Sequence, residues 1–340
     1  MSELYPLLLS PEFYERVWGS RNLAPIFDRV IPQGDAPIGE VWLTGDACKV
    51  ANGPLKGTSL QELSGSLGEK LIGNRAPGKH RFPLLIKFLF PKEKLSVQVH
   101  PDDDGAKRIG QSCGKTECWY VLKAEPGAQI GLGLTPGTTR EQLERAINET
   151  RAEKLLNWID IHAGDLIYVD AGTVHAIGPG SVILETQQNS DTTYRLYDYG
   201  RPRELHVEKG LAATKEKTRA GKVAPHPLSN GDLRLVASPC FVIENWHLEK
   251  PRQLATSSVS PTVLVALEGC GVVESPGNQP VTFTKGEAVV IPASLGEFEL
   301  RPQWQLECLS AQLPATAIAE PEGKIGFTSI PVLNRKVSRA

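Results

Sequence analysis

The chain has 340 residues, enough for about two domains with a substantial core. Lys plus Arg number 37 against 39 Asp plus Glu. That near-neutral balance excludes the broad basic footprint of a nucleic-acid binder, and the positive charge of any anion site must be local. The 32 glycines and 26 prolines follow no period, which excludes collagen-like and low-complexity chains and favours a turn-dense β protein over a helical bundle.

In chain order, Met1–Tyr5 has no basic region and Leu7-Leu8-Leu9 is too short for a secretory signal. The most apolar run, Phe82 to Phe90, is interrupted by Lys87 and is about half the length of a membrane span. Cys48, Cys113, Cys118, Cys240, Cys270 and Cys308 include no C-x-x-C pair and are expected to be reduced, buried thiols of a cytoplasmic protein. Strands are expected at Pro83–Phe90, Leu95–His100, Cys118–Lys123, Leu166–Asp170, Val182–Gln187, Val263–Leu267 and Ala288–Pro292. Between them, Thr138-Thr139-Arg140-Glu141 has the form of a capping box, with Leu143, Ala146 and Ile147 following at helical spacing. Leu155, Leu156 and Ile159 are expected to continue as a second short apolar face, giving a small helical insert at about 137–160.

Residues 215–232 are charged, then rich in Pro, Gly and Asn, and are expected to link residues 1–214 to residues 233–340. The second part repeats a pattern of the first. Gly164-Asp-Leu-Ile-Tyr-Val-Asp-Ala-Gly172-Thr-Val-His175 aligns without gaps to Gly286-Glu-Ala-Val-Val-Ile-Pro-Ala-Ser294-Leu-Gly-Glu297, an offset of 122 residues. Where the first copy ends on His175, the second ends on Glu297, so two related β-modules are expected, with ligands only in the first.

Four segments carry chemistry. In Leu95-Ser96-Val97-Gln98-Val99-His100-Pro101, a period of two puts Ser96, Gln98 and His100 on one face, and Pro101 ends the strand. In Gly114-Lys115-Thr116-Glu117-Cys118-Trp119-Tyr120, Lys115 and Glu117 share a face, as commonly happens in a surface pair. The turn Asp170-Ala171-Gly172-Thr173-Val174-His175 matches the second half of the cupin signature, with Asp170 where proline is usual. His100, Glu117 and His175, with Gln98 as a fourth donor, form an N/O set suited to catalytic zinc, although iron or manganese could occupy it. His80, His162, His206, His226 and His247 join no such cluster and are read as structural or surface residues. The fourth segment, Leu184 to Arg201, is dense in Gln, Asp, Tyr and Arg; a salt-bridged surface loop is the plain reading, and a sugar-phosphate site the alternative.

Together LSVQVHPDD (95–103), GKTECWY (114–120), AGTVHAIG (171–178) and ETQQNSDTTYRLYDYGR (185–201) resemble the type I mannose-6-phosphate isomerases in their short bacterial form. Arg16-Val17-Trp18-Gly19 and Ile38-Gly39-Glu40-Val41-Trp42 add weaker support. The resemblance is dense over about residues 10–210. It implies a mainly β fold of two cupin-like jelly-roll modules, the second degenerate. Glu117 and His175 are only 58 residues apart, leaving no room for the large helical domain of the longer form. It further implies a zinc enzyme, one ion per chain, interconverting mannose 6-phosphate and fructose 6-phosphate through a cis-enediol, with a small phosphorylated sugar as its partner and neither nucleic acid nor membrane. The implied zinc ligands are Gln98, His100, Glu117 and His175. The implied catalytic groups are Arg195, Lys115 and Asp191, with the Lys115 pKa depressed by zinc and Arg195. Ser96, Arg201 and Glu185 are the implied substrate and phosphate contacts, Glu185 being also an acid–base candidate; Arg203 and Lys209 are expected to be solvated. A tyrosine that follows the second His ligand by two in the longer form is Ile177 here. Rival readings are a cupin metal dioxygenase, which would favour His-x-His over Gln98-Val99-His100, and a non-catalytic sugar-phosphate binding module.

Overall fold

Alternating and continuous apolar runs build three antiparallel sheets in the computed structural model, which describes residues 4–27, 32–78, 80–322 and 325–326. The eight-stranded sheet runs in the order Glu12–Ser20, Ile38–Thr44, Leu84–Leu89, Ser181–Gln188, Glu117–Ala124, Leu166–Val169, Gly221–Val223, Ile325–Gly326. Facing it is a five-stranded sheet of Tyr194–Tyr197, Val97–Val99, His175–Ile177, Gln129–Leu134 and Leu156–Asp160. The nine-stranded sheet is built on Thr262–Glu274 and Glu297–Gln312.

Both faces of the eight-stranded sheet are covered. Leu89, Trp119, Val121 and Ile183 share one core with Ile130, Leu132 and Ile177 of the five-stranded sheet. Phe88, Cys118 and Leu184 share another with Leu235, Ile243, Val263 and Val265 of the nine-stranded sheet. This double burial is why Leu84–Leu89 is buried at every position and reads as an apolar run broken only by Lys87 rather than as an alternating one. The mainly β, cupin-like architecture agrees with expectation, and each expected strand is present. Leu95–His100 is shortened to Val97–Val99, and Val263–Leu267 lengthened to Thr262–Glu274. The repeat is built alike in both copies: Leu166–Val169 precedes a strand starting at His175, and Ala288–Ile291 one starting at Glu297.

Three local readings change. The cap of helix Arg140–Asn148 is Thr139, whose hydroxyl accepts from Gln142 N while the Gln142 side chain accepts from Thr139 N; the box begins one residue later than expected. Beyond it, Leu156–Asp160 is a strand on Gln129–Leu134 rather than a second helical face, since Leu156 and Ile159 bury against a sheet partner. Within 215–232, Gly221–Val223 pairs with Leu166–Val169, and His226–Pro227 with Leu233–Ala237. The charge of this segment misled because Lys222 is buried, its ammonium 2.6 Å from Asp165. Strands also cross the expected division: Leu7–Leu9 joins the nine-stranded sheet, and Ile325–Gly326 the eight-stranded one. All six cysteines are free; Cys240 and Cys270 are half-buried rather than buried.

Candidate active site

Strand register delivers the site. Gln98 lies directly between His175 and Arg195 on neighbouring strands, a single row across the five-stranded sheet. In the opposite sheet Glu185 is flanked by Lys87 and Trp119, and Gln187 by Glu117. Gly172, at φ +95°, makes the turn that returns the chain at His175; a Cβ there would lie 2.7 Å from the Lys215 stem. The turn is held by Thr173 Oγ1 donating to Asp170 and by Gly172 N donating to the His100 carbonyl at 2.9 Å. Asp170 therefore supplies a hydrogen-bonded turn where proline would supply a rigid one.

The donor atoms of His100, Glu117 and His175 lie within 4.8 Å of one another, and all three residues are buried. His100 Nδ1 donates to the Thr192 carbonyl and His175 Nδ1 to the Thr173 carbonyl, each at 2.9 Å. With the proton held on Nδ1, each Nε2 presents a lone pair, 3.6 and 3.4 Å from the Glu117 oxygens. Glu117 Oε2 is buried without a hydrogen bond. Burial holds His100 well below the ordinary imidazole value, reinforced by the Lys115 ammonium, and lowers His175 to about 4. Neutral imidazoles beside a carboxylate suit a divalent cation, so the residues fit a metal. The Gln98 amide comes within 3.2 Å of His175 Nε2, with the Ser96 hydroxyl donating to its Oε1 at 3.1 Å; a half-turn of the amide directs the oxygen inward instead.

Glu117 and Gln98 border a cavity of about 450 Å³, whose lining includes neither His100 nor His175. Beside Glu117 lies a buried chain of charges. The Lys115 ammonium is 3.2 Å from Glu117, 3.6 Å from Glu185 and 3.3 Å from His100 Nε2. Lys87 stands between Glu185 at 3.6 Å and Glu40 at 3.8 Å. Burial raises the Glu185 pKa to about 7, with Glu117 adding to the effect against the two lysines. For Lys115 the near neighbours act in the opposite direction to burial. Burial alone would lower its pKa, but Glu117, Glu185 and Asp191 outweigh burial and raise it, and the charges facing it are carboxylates rather than Arg195.

The structure brings Ser96, Gln98, Lys115, Glu117, Glu185 and Asp191 to one cavity, joined by Arg195. Arg195 Nη1 donates to the Glu204 carbonyl at 2.8 Å, while its buried Nε has no partner. Arg201 does not line the cavity. Its Nη2 donates to the Lys94 carbonyl at 2.7 Å, its Nε to the Asp198 carbonyl, and it lies over the Tyr199 ring. Arg203, expected to be solvated, lines the cavity instead, with Nε and Nη2 each 2.6 Å from the buried Asp198 carboxylate. The backbone of 198–201 turns one cation away while Asp198 turns the other in. Ile177 is on the wall and contributes no hydroxyl.

Arg16, Trp18 and Glu40, which entered the sequence reading only as motif residues, and Lys87, noted only as a break in an apolar run, also line the cavity. The signal for Lys87 was a single charge inside an apolar strand, since a buried lysine requires a partner. Gly39 lets Arg16 and Trp18 approach: a Cβ there would fall 2.4 Å from the Arg16 side chain and 2.9 Å from the Trp18 ring. Arg16 then donates to Glu40 at 3.0 Å.

Comparisons with known proteins agree with this construction. Residues 7–135 match the family model of the phosphomannose isomerase type I catalytic domain. The chain is 37% identical over 326 residues to a mannose-6-phosphate isomerase of Bacillus subtilis, covering 91% of this chain and 99% of the relative. It is 36% identical to the mannose-6-phosphate isomerase of Streptococcus mutans, covering 89% and 99%. A crystal structure of the mannose 6-phosphate isomerase from Bacillus subtilis superposes with a TM-score of 0.78 at 33% identity, covering 90% of this chain and 99% of that one. A zinc-bound mannose 6-phosphate isomerase shares the fold, with a TM-score of 0.72 at 17% identity over 89% and 98% of the two chains.

Proposed function

The chain belongs to the type I mannose-6-phosphate isomerase family, and from that premise we propose how its cavity carries the isomerisation. The enzyme interconverts mannose 6-phosphate and fructose 6-phosphate by proton transfer through a cis-enediol. The observation that supports the site assignment is the convergence of two Nδ1-tethered imidazoles and Glu117 beside the buried pair Lys115 and Glu185.

His100, Glu117 and His175, with Gln98 turned inward, would hold one zinc ion per chain. When bound, the ion supplies Lewis-acid stabilisation of the negative charge that develops on the sugar oxygens. The protein's own groups do the rest. Glu185, with a pKa of about 7, is suited to take the proton from C2 as a carboxylate and return it to C1 as the acid. Lys115 stays an ammonium and is better suited to donate hydrogen bonds to O1 and O2 than to act as the base. Asp191, exposed at the rim, can accept the hydroxyl proton that moves between them. Arg195 sets a fixed positive charge against the enediolate, its unpartnered Nε being available for that contact. Arg203 and Arg16, with the Ser96 hydroxyl, form the phosphate end; Arg201 instead braces Asp198 from behind.

The dioxygenase and binding-module readings leave this buried acid–base chain without a task. The test is a coupled assay with mannose 6-phosphate: turnover lost on chelation and restored by one equivalent of zinc per chain supports the assignment. Full turnover in chelator with no metal retained would refute it.

A further inference from the structure

A second cavity, of about 280 Å³, lies between helices Asp103–Arg108 and Val207–Ala213 and the first turn of Arg140–Asn148. Tyr194 lines it, whereas its strand neighbour Arg195 lines the active-site cavity. Successive residues of a strand point to opposite faces, so the two cavities lie on the two sides of Tyr194–Tyr197.

Charge distinguishes this cavity from other surface hollows. Arg108, Arg140, Lys209 and Lys215 line it, against one acid, Asp102. Asp102 is taken by Lys215 at 2.9 Å, and Glu216, just outside, accepts the Arg140 backbone N–H. Arg108, Arg140 and Lys209 close no ion pair within 4 Å among the described residues; Arg108 acts at longer range on Asp102 and Arg140 on Glu141, so cations outnumber acids around one hollow in a chain whose net charge is −2. Like charges are costly to gather, and an anion between them removes that cost. The remaining wall is apolar, from Pro101, Ile109, Tyr194 and Ala212. A bare inorganic ion would leave that wall unused; a short carbon skeleton with an anionic group at each end would cover it.

We propose that this cavity is a second ligand site, separate from the active site, that binds a small phosphorylated carboxylic acid carrying about three negative charges. The wall is tied to the catalytic floor through backbone bonds, Lys215 N donating to the Gly172 carbonyl and Gly172 N to the His100 carbonyl, each at 2.9 Å.

The experiment is calorimetric titration of the zinc-loaded enzyme with 3-phosphoglycerate, a non-sugar trianion. Wild type and R195A/R203A, which removes two of the active-site cations, should bind one equivalent with the same Kd. R108A/R140A/K209A should bind at least about tenfold more weakly while keeping wild-type kcat and KM for mannose 6-phosphate, since each charge-assisted contact is worth about a decade or more. Equal binding by the triple variant, loss of binding in R195A/R203A, or no saturable binding up to about 10 mM in wild type would each overturn the proposal. Should the triple variant not fold, R108A and K209A singly, both at exposed positions, carry the same comparison.

Discussion

Replacing Arg203 by Ala tests the phosphate end of the cavity. Arg203 gives one N–H each from Nε and Nη2 to Asp198 at 2.6 Å, so the two Nη1 hydrogens and the second Nη2 hydrogen are left for a phosphate oxygen. A hydrogen bond between charged groups contributes about 1.5–3 kcal/mol. The side chain is 24% exposed, and screening places this contact toward the lower end. KM should therefore rise about 10- to 30-fold. The phosphate is remote from C1 and C2 and is held equally in ground and transition states, so kcat should change less than about threefold. Asp198 keeps Arg201 at 3.0 Å in the variant, and the fold should survive. In the companion variant Arg201→Ala, the lost contacts are to the Lys94 and Asp198 carbonyls and to the Asp198 carboxylate, which Arg203 still holds, so KM should move less than about twofold while thermal stability falls. Steady-state kinetics on both variants decide the matter. If Arg201→Ala raises KM more than Arg203→Ala does, or if Arg203→Ala lowers kcat at unchanged KM, the assignment is wrong.

Arg195→Ala should lower kcat by about 10²- to 10³-fold with an unchanged melting temperature, because its backbone contact to Glu204 lies at the surface; near-normal turnover would remove it from the mechanism. Glu40 supplies an acid-stability test. Burial opposes its charge, but Lys87 and Arg16 prevail and bring its pKa from 4.5 to about 2. A depressed carboxyl stabilises the fold above its unfolded pKa. About 3 kcal/mol should therefore be lost as pH falls from about 4.5 to 2, and Glu40→Gln should flatten that limb of the denaturation curve. Lys222→Ala strands the Asp165 carboxylate in the interior and should cost about 3–5 kcal/mol by urea denaturation, whereas Lys222→Met with Asp165→Leu should recover most of it; equal losses would show that the buried charge is not the cause.

The His100 and His175 positions of the candidate cluster were legible before any fold was known because each sits in a segment with its own local logic, whereas Glu117 beside Lys115 read alone as a surface pair. Period-two spacing separates Gln98 and His100 from Val97 and Val99, a glycine turn aims His175, and both operate within a few residues. The buried charge chain was not legible. Glu185, Lys87 and Glu40 are far apart in sequence and meet only because three strands pair in one register. For the same reason the two carboxylates beside Lys115, which raise its pKa, could not be foreseen from the strand that carries it.

The sequence by itself determined the β-rich class, the repeated pattern and the His100, Glu117 and His175 candidate cluster, since these depend on alternation, turn residues and donor chemistry along short stretches. Only the tertiary structure decided which arginine lines the cavity, that Lys222 is interior, and where Leu7–Leu9 and Ile325–Gly326 join sheets built mostly from the other part of the chain. Those outcomes depend on which way a loop turns and which strand borders another. They are set by packing and charge compensation among residues distant in the chain.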